Sequence, residues 1–167
     1  MLVGQTPTDL STIPRHDGTL FHPPSSPGPA QAQYDSAMTR PLRIFLIEDS
    51  AEIRETLTQT LESSGRMRVT GHVDNAADAI TALDSEEIDA VVIDLHLRAG
   101  SGLEVLTHLA RVDNPKKILR LVLTNHASPM FRRACEKLGA EYFLDKSMEF
   151  ERAVEVLSEY AERLTHQ

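Results

Sequence analysis

Ala90-Val91-Val92-Ile93-Asp94 is a continuous apolar run that stops on a carboxylate. A run without polar alternation suits a strand buried on both faces, as in the middle of a parallel sheet. Three further runs also stop on polar groups: Ile44-Phe45-Leu46-Ile47 on Glu48-Asp49, Leu121-Val122-Leu123 on Thr124, and Tyr142-Phe143-Leu144 on Asp145-Lys146. If these are neighbouring parallel strands, their carboxyl ends share one edge, where open α/β folds place their sites. The three carboxylates of Glu48, Asp49 and Asp94, the Thr124 hydroxyl and the Lys146 ammonium then converge.

From residue 43 onward, strand-like and helix-like segments alternate five times, the pattern of a parallel sheet covered by helices on both faces. Arg68-Val69-Thr70-Gly71-His72-Val73 alternates as an edge strand does. With right-handed crossovers the predicted fold is flavodoxin-like, five strands in the order 2-1-3-4-5, so that the first and third meet at the switch point. Arg120 is placed outside the fourth strand, which is predicted to begin after it. Helix starts are marked by Ser101-Gly102-Leu103-Glu104, a capping box, by Ser128-Pro129, and by Asn75 and Ser147 as N-caps. Ile53, Leu57 and Leu61 form one apolar stripe, and Phe150, Ala153, Val154, Leu157, Ala161 and Leu164 another.

The 167 residues suffice for one core of ordinary size, and the prolines show that not all are used for it. Seven of nine (Pro7, Pro14, Pro23, Pro24, Pro27, Pro29, Pro41) fall in the first 41 residues, with no sustained apolar periodicity. Such a segment buries too little to offset its ordering entropy, so residues 1–40 are predicted as a disordered tail. It lacks the apolar core of a signal peptide, and no stretch approaches a membrane span. A net charge of −8 argues against direct nucleic-acid binding. One cysteine excludes an internal disulfide and fits a reducing, cytoplasmic setting; Cys135 has helical spacing with Phe131 and Leu138, as a packing residue does. The seven histidines show no zinc-ligand spacing.

The convergent groups have a chemistry. A carboxylate is ionised at neutral pH and can attack phosphorus. Bringing Glu48, Asp49 and Asp94 together is unfavourable, since like charges about 4 Å apart repel by roughly 4 kcal/mol at an effective dielectric near 20. The cluster therefore calls for a cation, and Mg2+ fits because it takes oxygen ligands and bridges carboxylates to phosphoryl oxygens. Lys146 can neutralise a second phosphoryl oxygen and Thr124 can donate to a third. Phosphoryl transfer needs mainly positioning and charge stabilisation. Each group alone is ordinary: a cap, a favourable partner for a helix dipole, a solvated lysine. Their appearance in this order on four βα junctions is not.

With these motifs in view, residues 42 to 165 resemble the receiver domain of bacterial two-component response regulators. That family has an acidic pair after the first strand, a phospho-accepting Asp after the third, Ser or Thr after the fourth and Lys after the fifth; here Glu48-Asp49, Asp94, Thr124 and Lys146 stand there. Asp94-Leu95-His96-Leu97, continuing to Gly100-Ser101-Gly102-Leu103-Glu104-Val105-Leu106, is close to the family's loop and third helix. The resemblance implies a receiver domain over residues 41–167. Asp94 would be phosphorylated by a sensor histidine kinase or a histidine phosphotransfer protein, and Mg2+ held by Asp49, Asp94, the main-chain carbonyl of His96 and, through water, Glu48. It also implies that Thr124 moves toward the phosphoryl group and that Phe143 turns into the space released, changing a surface read by a downstream protein target. The expected protein is a signalling switch, not an enzyme beyond its own phosphoryl transfer and hydrolysis, and a monomer or weak homodimer.

Three residues depart from the family pattern: Ser147 and Arg98 stand where proline is common, and Asn125 where a small residue is. His96 and His126 lie two residues beyond Asp94 and Thr124, beside the path of water to an acyl phosphate, and are predicted to affect phosphoryl lifetime by obstructing or orienting that water. The sequence ends just after the fifth predicted helix, so output is expected through another protein, either as a diffusible switch or as a phosphorelay intermediate. Two other readings are an inert receiver-like binding module and a haloacid dehalogenase-type phosphatase. The latter needs a second acid two residues after its nucleophile, where His96 stands.

Overall fold

The computed structural model describes residues 40–111 and 117–166. The predicted tail therefore lies outside the described residues except for Arg40. The strands are β1 (Leu42–Ile47), β2 (Met67–Val73), β3 (Ala90–Ile93), β4 (Leu119–Thr124) and β5 (Tyr142–Asp145). The helices are α1 (Ala51–Glu62), α2 (Ala76–Ser85), α3 (Gly102–Arg111), α4 (Pro129–Lys137) and α5 (Phe150–Thr165). All neighbouring strands are parallel, in the order β2-β1-β3-β4-β5. This is the predicted flavodoxin-like topology.

The pleat sends alternate side chains to opposite faces, and each face has its own core. Phe45, Ile47, Val91, Ile93, Val122 and Phe143 pack with α2, α3 and α4; Ile44, Leu46, Val92, Leu121 and Leu123 pack with α1 and α5. β1 and β3 are buried along almost their whole length, as their unbroken apolar runs require. β2 is the edge strand and carries a bulge at Thr70, where Ile44 pairs with Val69 but Phe45 with Gly71. A Cβ on Gly71 would come within 2.7 Å of the Phe45 ring, so any larger residue there would have to displace that buried ring. Among the described residues, no helix is long and apolar enough to cross a membrane.

The caps at Asn75 and Ser128 form as the sequence indicates, with side chains accepting from Asp78 N–H and Phe131 N–H. Ser101 Oγ accepts from Glu104 N–H at 3.4 Å. Three expectations are corrected. Arg120 lies inside β4, because its guanidinium has a destination: Nη1 donates to Leu138 O and Nη2 to Leu109 O, carbonyls near the ends of α4 and α3. A cation there also suits the negative ends of two helix dipoles. Ser147 does not cap α5, whose N-cap position is Glu149; it bonds back to Asp145 instead. On α5, Val156 is buried while Leu164 is 40% exposed at the helix end, beyond the sheet. Cys135 is fully buried, and its thiol is pushed up to about 11 by loss of solvent, which leaves it a packing residue.

At the opposite edge from the carboxyl ends, Asp89 accepts from Arg40, from the Arg43 guanidinium and from Arg43 N–H. Burial pushes its carboxyl up, but these bonds outweigh burial and hold it far below the usual carboxylate range. A carboxyl with a depressed folded pKa contributes stability above its unfolded pKa, about 3.9, that is lost as pH falls through the folded value. With Arg40 mostly solvated, an Asp89→Asn variant is expected to lose about 1–2 kcal/mol at pH 7, by urea unfolding. The gap from wild type should hold from neutral pH to about 5 and close below about 4. A gap unchanged at pH 3 would contradict this account.

Candidate functional site

The site forms where β1, β3, β4 and β5 end. Glu48 follows β1, and its N–H donates to Val73 O at 3.0 Å, tying the loop to β2. Its Oε1 accepts from Ser50 N–H at 3.0 Å, and Ser50 is itself the N-cap of α1. This local chain of bonds turns Glu48 inward, 4% exposed, while Asp49 remains exposed. Asp94 N–H donates to Ile47 O at 2.8 Å, which sets its carboxylate beside that pair. A Cβ on Gly102 would overlap the Asp94 carbonyl oxygen, so the glycine lets α3 start against the loop.

Glu48, Asp49 and Asp94 each offer a carboxylate oxygen within 4.8 Å of the others. Lys146 Nζ reaches across from β5 to Glu48 Oε2 at 2.6 Å and Asp94 Oδ2 at 3.0 Å. Burial pushes the Glu48 carboxyl above the usual range, against the pull of Lys146 and Ser50 N–H. Burial would lower Lys146, but its two carboxylates outweigh this and hold the ammonium in its charged form. Three carboxylates meet one ammonium, so the cluster is short of positive charge. The oxygen-only donor set fits a hard divalent cation such as magnesium.

Thr124 is fully buried, and its Oγ1 accepts from His126 N–H at 3.2 Å, leaving its hydroxyl hydrogen free to donate. The structure thus brings Glu48, Asp49, Asp94, Thr124 and Lys146 to one edge. His96 follows Asp94 in the same loop, and its N–H lies 3.4 Å from Asp94 Oδ1. The exposed imidazoles of His96 and His126 stack on each other, ring centroids 3.7 Å apart, with Phe131 edge-on to His96 at 6.4 Å. With an imidazole at position 96, the second acid of a haloacid dehalogenase-type site is missing. Phe143 is 4% exposed in the core, under the Arg132 guanidinium at 4.8 Å from its centroid; Arg132 Nη1 also donates to Phe143 O.

Sequence reasoning missed Arg54, whose Nη1 donates to Glu48 O at 2.8 Å and Asp49 O at 3.1 Å and so clamps the acidic loop. A signal was present, since a cation early in a helix opposes the dipole and asks for another partner. It singled out Arg98 only as a departure from the family pattern and missed its partner: the guanidinium pairs with Asp74 at 2.9 and 3.0 Å, and Arg98 N–H donates to Asp74 O. That clasp joins two loops far apart in sequence, and nothing local marks it.

The chain is 33% identical over 118 residues to the protein-glutamate methylesterase/protein-glutamine glutaminase of group 2 operon from Rhodospirillum centenum, covering 70% of this chain and 30% of that protein. The chain therefore spans about a third of the length of such relatives. The signal receiver domain of a Luxo repressor protein from Vibrio parahaemolyticus superposes with a TM-score of 0.64 at 25% identity, over 75% of this chain and 93% of that one. The receiver domain of a sensor histidine kinase from Pseudomonas aeruginosa PAO1, with magnesium coordinated in its active-site cleft, gives 0.59 at 21% identity, over 77% and 100%. The family model of the response regulator receiver domain matches residues 44–158, and the chain belongs to that family of two-component signalling modules.

Proposed function

We propose that the protein is a phospho-accepting switch in which Asp94 takes a phosphoryl group from a phosphohistidine of a sensor kinase or histidine phosphotransfer protein. The observation that carries this is the buried Asp94 carboxylate, 3.0 Å from Lys146 Nζ and grouped with Glu48 and Asp49. An Asp94 oxygen attacks phosphorus, the phosphorus–nitrogen bond breaks, and the departing imidazole keeps the electron pair and takes up a proton. Glu48, Asp49, Asp94 and the His96 carbonyl would hold magnesium, which when bound neutralises charge on the phosphoryl oxygens. Lys146 pairs with a second oxygen and the Thr124 hydroxyl donates to a third. Drawing Thr124 toward the phosphoryl group strains its bond from His126 N–H and opens space beside Phe143. The Arg132–Phe143 contact then carries the change to α4, where a downstream protein target reads it. We place this exchange in the cytoplasm, where the one thiol stays reduced.

The test is intact mass of wild type and Asp94→Asn after incubation with magnesium and a small acyl phosphate. An adduct on wild type alone supports the reading. An adduct on neither, with a phosphohistidine donor failing too, leaves an inert binding module. The stacked imidazoles of His96 and His126, two residues beyond Asp94 and Thr124, support a joint effect on water approaching the phosphoryl group. Replacing His96 and His126 together with alanine is expected to change the dephosphorylation rate of the isolated protein several-fold, of the order general acid–base or access effects produce. An unchanged rate between pH 6 and 8 would dismiss the idea.

A further inference from the structure

Lys146 must reach from the β5–α5 turn to carboxylates after β1 and β3, and the turn that aims it is organised by one neighbouring side chain. Asp145 Oδ1 accepts from Ser147 N–H at 2.9 Å, Ser147 Oγ at 2.6 Å and Met148 N–H at 3.2 Å. Asp145 N–H donates to Glu149 Oε2 at 2.8 Å, and Glu149 N–H returns a bond to Asp145 O at 2.7 Å. Lys146 N–H donates to Thr124 O at 2.9 Å. Every backbone N–H from residue 145 to 149 therefore has a partner, and two of the five use the Asp145 carboxylate. The bonds from Ser147 hold that carboxyl below the usual range, so it stays an acceptor.

A lysine side chain loses much rotamer freedom when its ammonium is fixed on two oxygens. That loss is tolerable only if the backbone already points the stem at the target. We infer that Asp145 is a positioning residue for phosphoryl transfer: its carboxylate fixes the turn that aims Lys146 at Glu48 and Asp94. The inference deepens the phospho-acceptor reading and rests on it for its kinetic consequence, while the geometry of Lys146 is open to separate measurement. Ser147 is then a member of this turn, which explains why it is unavailable as the cap of α5.

The experiment compares full-length wild type with Asp145→Ala, Asp145→Asn and Asp145→Glu. It reads phosphoryl uptake from a small acyl phosphate with magnesium and the 1H–15N signal of the Lys146 ammonium, with thermal unfolding as a control. Asp145→Ala is expected to slow uptake about tenfold and to broaden the Lys146 signal as it leaves its buried partners. Asparagine keeps an acceptor oxygen at the same place and should restore both to within about twofold of wild type. Glutamate moves the carboxylate by one methylene and should behave as alanine does, which keeps the test decisive if alanine unfolds the protein. Uptake and Lys146 signal unchanged in both the alanine and glutamate variants overturn the inference and leave the phospho-acceptor reading intact. If wild type takes up no phosphoryl group, that reading falls, and the Lys146 signal alone decides the positioning role.

Discussion

Asp94→Asn is expected to take up no phosphoryl group where wild type gains one. The reason is chemical, not structural. An amide oxygen is a far weaker nucleophile than a carboxylate, and no neighbouring base can restore it. Asparagine matches aspartate in shape, and the side chain sits at the end of a strand held by Asp94 N–H to Ile47 O, a bond the substitution keeps. One of three crowded carboxylates is removed, so stability should change little, by about 1 kcal/mol or less. Magnesium affinity should fall, because the donor set loses a charged oxygen. Intact mass and a magnesium titration check both halves. An adduct on Asp94→Asn with wild-type stoichiometry would move the nucleophile elsewhere and end the assignment.

Removing the ammonium has a different signature. Lys146, Glu48 and Asp94 have side chains only 6%, 5% and 8% exposed, so a Lys146→Met variant leaves two carboxylates buried without their partner. Breaking a buried pair in this way costs about 3–5 kcal/mol, and protonation of Glu48, already raised by burial, should hold the loss toward the lower figure. Unfolding by urea without divalent cation measures it. Saturating magnesium should recover a substantial part, since a cation that binds only the folded state stabilises it by mass action. Phosphoryl uptake should remain slow even then, because the lysine's place on the second oxygen stays empty. A variant as stable as wild type, with no dependence on magnesium, would show that Lys146 does not balance the cluster.

Much of this site was legible before any coordinates. The runs ending at Asp94 and Glu48-Asp49 suited central strands, because continuous apolar sequence is unfavourable on a solvated face. The caps at Asn75 and Ser128 were legible because capping is decided within four residues. Ser147 followed the same local rule and failed, because Asp145 competes for it from two residues away. Arg120 looked wrong for a strand because its partners, Leu109 O and Leu138 O, come from other elements.

The sequence by itself determined the alternation of strands and helices and which chemical groups stand at the strand ends, because side-chain periodicity is a local property of the chain. Right-handed crossovers then allowed the observed sheet order among a few others. Only the tertiary structure decided that Glu48 is buried while Asp49 is exposed, that Lys146 reaches both Glu48 and Asp94, and that His96 and His126 stack. These depend on side chains from loops as many as 98 residues apart. Their separations are set to tenths of an ångström by how two cores pack, which no local pattern encodes.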